Sequence, residues 1–223
     1  MQREADSFDI DEAIRRLREV VRSLPPAALF QLAAEGFRTL FEVLVACIVS
    51  VRTRDEVTVP VARRLFARAR TPEALAQLTE PELAALLRPA TFAETKARNL
   101  LVIAGRLQHE SDQKRLCDET FLLQLPGVGP KCAHLVLGIA CGLPRIAVDV
   151  HVHRITNRWG YVRTRAPEQT LRELERKLPQ QYWIEINRLL VPFGKHICTG
   201  VLPRCSQCVL ADLCPRIGVA RHR

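Results

Sequence analysis

The sequence predicts an all-α protein. Apolar residues recur at helical spacing along nearly the whole chain, helix-start signals of threonine followed by proline return at short intervals, and no stretch of any length alternates as a strand would. With 223 residues, 48% of them hydrophobic, the chain can bury one substantial core or two modest ones.

The elements follow in order. Ile10, Ile14, Leu17, Val21 and Leu24 form the apolar stripe of a first amphipathic helix. Asp9 with Glu12 three residues on resembles a capping box at its start, and Pro25-Pro26 ends it. Phe37, Leu40, Phe41, Leu44, Val45 and Ile48 give a broad stripe that predicts a second helix at the centre of a core. Residues 56–69 read as a helix with a basic outer face. Thr71-Pro72-Glu73 and Thr79-Glu80-Pro81-Glu82 each set a capping hydroxyl ahead of a proline in the first turn, and so predict two short helices. A longer helix is expected over 95–109, turning Leu100, Leu101, Ile103 and Leu107 inward, then a short one over 119–124. Helices are further predicted over 130–141, 151–159, 167–178 and 181–193. No internal repeat is convincing.

Net charge is +9 with a pI near 9.5, and the basic residues are spread through helices and loops. A polyanion, nucleic acid first, is the partner this favours. The opening residues carry Glu4, Asp6, Asp9 and Asp11 with no apolar run, so neither a signal peptide nor a membrane anchor is expected there, and no stretch approaches a transmembrane span. An intracellular protein is expected, not a secreted one, and a cytoplasmic, nucleoid-associated one if the source is bacterial.

Three segments carry chemistry. Cys198, Cys205, Cys208 and Cys214 are separated by gaps of six, two and five residues. Four thiolates in so short a span can wrap one tetrahedral zinc or a four-iron, four-sulfur cube; unpaired thiols or two disulfides are the alternatives. Leu125-Pro-Gly-Val-Gly-Pro-Lys131 reads as a tight turn opening a helix, in which Gly127 and Gly129 allow positive φ and close backbone approach, with Pro130 at the first helical position. Backbone N–H groups there can face a phosphate, although an ordinary glycine-rich connection fits as well. Lys131 stands at the positive end of that helix, which favours a neutral, nucleophilic amine able to form an iminium at a sugar C1′. Asp149, eighteen positions on in Val148-Asp149-Val150-His151, could take the amine's proton and stabilise charge on the sugar. The plain alternatives are a solvated lysine and an N-cap aspartate.

Together, the Leu-Pro-Gly-Val-Gly-x-Lys hairpin, the Val-Asp-x-His segment and the cysteine gaps resemble the endonuclease III family of iron–sulfur helix-hairpin-helix DNA glycosylases, in family order and from about Phe37 to Pro215. The resemblance implies a two-lobed all-α enzyme with its active site in the cleft between lobes. A six-helix barrel carrying the helix-hairpin-helix would span 33–143, and an iron–sulfur cluster domain would join 1–32 to 144–223. It implies Lys131 as nucleophile, Asp149 as catalytic carboxylate, and a [4Fe-4S] cluster on the four cysteines in place of zinc. The implied activity is base-excision repair by a bifunctional glycosylase and abasic-site lyase that removes oxidised pyrimidines from double-stranded DNA and nicks it by β-elimination. The implied state is a monomer without membrane association.

Two loops match the family's gap-filling segments, which enter the duplex when the damaged nucleotide is rotated out. These are Ser50-Val51-Arg52-Thr53-Arg54-Asp55 and Thr91-Phe92-Ala93-Glu94-Thr95-Lys96, with Phe92 as the wedge. Gly127, Val128, Gly129, Arg52, Phe92, His151, Lys195 and Arg204 make up the expected DNA-contacting set. Arg52 departs from the family's glutamine, Thr91 from its glycine, Ala93-Glu94 from an aromatic followed by Asn or Arg, and Val150 from its threonine. These departures leave two alternatives open: another lesion specificity, such as mismatched thymine or uracil, and a catalytically weak paralogue that binds damaged DNA. Cys47, Cys117, Cys132 and Cys141 read as small core or near-core hydrophobes.

Overall fold

The computed structural model describes residues 8–110 and 112–223; Glu4 and Asp6 of the acidic opening lie outside them. The regular elements among the described residues are all helical, with no strand. The helices are α1 (Ile10–Val20), α2 (Ala28–Ala34), α3 (Leu40–Ser50), α4 (Asp55–Arg68), α5 (Pro72–Ala76), α6 (Glu80–Leu87), α7 (Ala93–Gln108), α8 (Gln113–Leu116), α9 (Glu119–Leu123), α10 (Pro130–Ile139), α11 (Val150–Arg158), α12 (Pro167–Lys177) and α13 (Glu185–His196). Among the described residues no helix is long and apolar enough to cross a membrane.

The local start signals act as their chemistry requires. Thr71 accepts from the Ala74 N–H, and Thr79 and Glu82 close a full capping box. Thr39 and Glu42 close another at α3. At α1 Asp9 caps Glu12, but Glu12 does not return the bond. Arg15 and then Arg16 claim that carboxylate and hold it down at a pKa of about 2. The predicted second helix is shorter than its stripe: Phe37 precedes α3 and instead packs its ring against Phe66, 4.9 Å between centroids. Two helices were not foreseen, α2 and the single turn α8. The last predicted helix starts later and runs on to His196, because residues 180–182 form a 3₁₀ turn. Leu101 is half-buried where an inward side chain was expected.

The chain divides into two compact units. Residues 27–145 form one, whose buried core includes Leu32, Leu44, Ile48, Leu65, Leu83, Leu100 and Ile103. The other joins the N-terminal segment, through Pro26, to residues 146–223. In it Ile14 and Leu17 of α1 share a core with Val152, Ile155, Ile186, Leu190 and Phe193. Arg18 bonds Glu185 at 2.7 Å and Arg16 bonds Asp212 at 2.7 Å, fastening the first helix to the C-terminal segment.

One expectation fails on covalent grounds. Cys117 and Cys141 are not unpaired hydrophobes; they form a disulfide, with Cα atoms 6.1 Å apart, within reach of a bridge. It joins the residue before the N-cap of α9 to the residue after the C-cap of α10, so the two ends of the helix-hairpin-helix are tied together.

Candidate active site and DNA-facing surface

In the unit of residues 27–145, the turn between α9 and α10 presents Lys131. Gly127 has φ 79°, which strains any L side chain, and a Cβ there would lie 2.8 Å from Asn99 Nδ2 and 3.4 Å from Ile48 Cδ1, so a larger residue would also displace the Asn99 side chain of α7. Gly129 differs from expectation: its φ is −103°, ordinary extended backbone, because it serves as the N-cap of α10. Val128 turns its side chain into the core and its N–H to Leu125 O at 3.2 Å, so it offers no side chain outward. Pro130 opens α10 and Lys131 follows, exposed in the first turn.

Beneath Lys131 lies a feature the sequence did not announce. Cys47 of α3 and Cys132 of α10 are both buried and face each other. The hydrogen bond with Cys132 holds the Cys47 thiol below its usual range, with the Lys131 charge contributing, and that same bond with burial pushes Cys132 up.

The two loops expected to fill the gap, at residues 50–55 and 91–96, belong to the same unit. Arg52 and Phe92 are both exposed, and both adopt left-handed backbone, at φ 54° and 57°. Phe92 is 57% exposed, outside the core, and the Arg52 guanidinium lies 5.8 Å from its ring centroid. Glu94, whose charge would oppose a phosphate, is paired with Arg88 at 2.8 Å.

In the other unit Asp149 is the N-cap of α11, its Oδ1 accepting the N–H groups of His151 and Val152 at 2.9 Å each. The His151 ring packs against Gly194 of α13, where a Cβ would come within 2.5 Å of Nδ1. Arg154 Nη2 bridges the same place, 3.0 Å from His151 Nδ1 and 2.9 Å from both Gly194 O and Cys198 O. Burial lowers the Arg154 pKa from its usual value, while Cys198 and Asp149 lie within reach of its charge. Lys195 is half-buried in the last turn of α13, and Arg204 is exposed between Cys198 and Cys205.

Cys198, Cys205, Cys208 and Cys214 line one cavity together with Arg158, Arg204 and Arg216. None of the four is in a disulfide. Arg158 Nη1 donates to Cys198 Sγ at 3.3 Å and the Arg216 N–H to Cys214 Sγ at 3.4 Å. Arg216 Nε is buried without a partner, a donor left facing a thiol-lined space. Burial pushes the Cys208 thiol up to about 11 and raises Cys214 as well. Among the described residues no three His, Cys, Asp or Glu side chains are grouped as a site for a single metal ion.

Residues 45–180 match the model of the HhH-GPD superfamily of base excision DNA repair proteins. The chain is 41% identical over 175 residues to endonuclease III of Thermotoga maritima, covering 78% of this chain and 82% of the relative. It is 41% identical over 178 residues to endonuclease III-like protein 1 of Bos taurus, spanning 78% of this chain and 58% of that longer relative. Its fold superposes with a TM-score of 0.79 on an endonuclease III bound non-covalently to DNA and on one trapped in a covalent intermediate with DNA, at 28% identity, with 93% of this chain and 94% of each of those covered.

Proposed function

Because the chain belongs to the HhH-GPD superfamily of base excision DNA repair proteins, we propose that it is a bifunctional DNA glycosylase and abasic-site lyase that acts on oxidised pyrimidines in duplex DNA. The observation that carries this reading is an exposed lysine in the first turn of a hairpin helix, behind a turn whose positive φ favours glycine. Lys131 Nζ attacks C1′ while the damaged base departs with the glycosidic electron pair and takes up a proton. The Asp149 carboxylate accepts a proton from the amine and offsets the positive charge on the sugar. The sugar ring then opens, O4′ leaving C1′ with its electron pair and taking up a proton, which gives the iminium; loss of a C2′ proton expels the 3′ phosphate oxygen and nicks the strand. Water then hydrolyses the Schiff base and frees Lys131.

The DNA-contacting set of this reading is the backbone of Gly127, Val128 and Gly129 with Arg52, Phe92, His151, Lys195 and Arg204. Cys198, Cys205, Cys208 and Cys214 would hold a [4Fe-4S] cluster. Support comes from four free thiols around one cavity, two N–H donors already on their sulfurs, and the unpartnered Arg216 Nε, a donor set that fits an anionic sulfide group. The cluster would cross-link the C-terminal loop and leave the glycosidic chemistry to Lys131. The protein would work inside the cell as a monomer, on the nucleoid if its source is bacterial.

Borohydride reduction in the presence of an abasic-site duplex tests the lyase directly. A covalent protein–DNA adduct is expected, and it should vanish in Lys131→Ala. Tight binding with no adduct would refute the reading.

A further inference from the structure

Lys96 is a buried cation in an exposed neighbourhood. It lies in the first turns of α7, only 4% exposed, whereas Phe92, Glu94 and Thr95 beside it face solvent. Its ammonium donates to Val49 O at 2.7 Å, Val51 O at 2.8 Å and Thr53 Oγ1 at 2.9 Å. Three acceptors match its three protons, so the group is fully satisfied. Two of these acceptors are carbonyls at the C-terminal end of α3, where backbone oxygens lack helical partners and the helix dipole is negative. Lys96 thus caps α3 from another helix, at the point where the chain leaves it for Arg52.

A second set of bonds joins the two loops. Thr91 Oγ1 lies 2.8 Å from Arg52 O and 2.9 Å from Thr53 Oγ1, and the Thr91 N–H reaches Thr53 Oγ1 at 3.3 Å. Thr53 therefore belongs to both sets. At the rim of this network stand Arg52 and Phe92, two of the four non-glycine residues with left-handed backbone among the described residues, each costing about 1–2 kcal/mol for an L-residue. Such strain persists only where the surroundings over-determine it. A buried ammonium with three fixed acceptors supplies that determination.

We propose that Lys96 is a positioning residue which, through Thr53 and Thr91, holds Arg52 and Phe92 stacked as one preformed wedge that enters the duplex when the damaged nucleotide leaves the stack. The inference rests on the glycosylase reading above. Its consequence is specific: Lys96 assists the step that opens the stack and does not assist the attack by Lys131. An abasic site has no base to rotate out, so it needs the wedge less.

The test is a double-mutant cycle in the full-length protein with Lys96→Met and Phe92→Ala. Base release is followed from a thymine glycol duplex, and stacking is followed by the fluorescence of a 2-aminopurine placed next to the lesion. Lys96→Met should slow base release about tenfold and suppress the fluorescence rise, while borohydride trapping on a preformed abasic duplex persists. In the Phe92→Ala background the same change should have no further effect, since the wedge is already gone. Additive losses, or a Lys96→Met protein that unstacks DNA like wild type, would overturn the proposal. If Lys96→Met does not fold, Thr91→Val takes its place in the cycle with the same expected outcomes. A wild-type protein that forms no adduct on the abasic duplex fails the enzymatic reading instead, and the wedge falls with it.

Discussion

At the scale of single residues, the buried polar groups hold most of the information. Burial pulls the Lys96 amine down to about 8 despite the three oxygens around it, against 10.5 for an ordinary lysine. The folded protein therefore releases this proton at lower pH than the unfolded chain does. Between pH 8 and 10.5 the unfolded state binds more protons, so Lys96 should make stability rise with pH across that window and cost most below it. Urea unfolding of wild type and Lys96→Met at several pH values checks this: the difference between them should shift in favour of wild type above pH 8. A pH-independent difference would mean that the three oxygens offset the burial completely. The sequence places this residue at the end of the second gap-filling segment but does not mark it as buried, because a lysine on an amphipathic helix reads as solvated. Its acceptors are contributed by residues 43 to 47 positions away. Cys47 and Cys132 were opaque for the same reason, whereas the four C-terminal cysteines were legible because all four lie within one short span.

At the scale of elements, starts were easier to read than contacts. Thr71 and Thr79 announce α5 and α6 because a cap acts on a backbone N–H three residues away, so the signal is local. No such signal marks α2: Ala27 at its N-cap makes no side-chain bond, and the preceding Pro25-Pro26 reads only as a stop. Lys131 and the capping aspartate were visible at their helix starts. The packing of α13 against α11 at His151 was not, since it depends on the absence of a side chain at Gly194. Gly194→Ala would put a methyl within 2.5 Å of the His151 ring, which also meets it at Cβ and Cγ. His151 would have to move, and its N–H is one of the two that fix the Asp149 carboxylate. A loss of about 2 kcal/mol in urea denaturation is expected, within the usual cost of overpacking, together with slower base release. Unchanged stability would show that the two helices have room to part.

At the scale of the whole molecule, a net charge of +9 spread over helices and loops bears on the partner more than on the fold. Binding that neutralises phosphates releases counterions, so duplex affinity should fall by orders of magnitude between about 50 and 200 mM salt. Fluorescence anisotropy of a labelled abasic duplex measures it. A flat response would remove Arg52, Lys195 and Arg204 from the contact set. The helical class and the order of the three chemical segments were legible because each rests on local spacing. The Cys117–Cys141 bridge was not, since pairing requires that two distant backbones meet and neither cysteine sits in a ligand-like spacing.

That bridge alters what a cut in the chain would mean. Cys117 and Cys141 are 24 positions apart and enclose α9, the glycine turn and α10, so the segment bearing Lys131 is a closed covalent ring. Proteolysis at the turn, between Gly127 and Val128, would open the ring without separating the halves. The nicked protein should migrate as one piece on a denaturing gel and as two once a reductant is added. Two pieces without reductant would mean that the ring is open in solution.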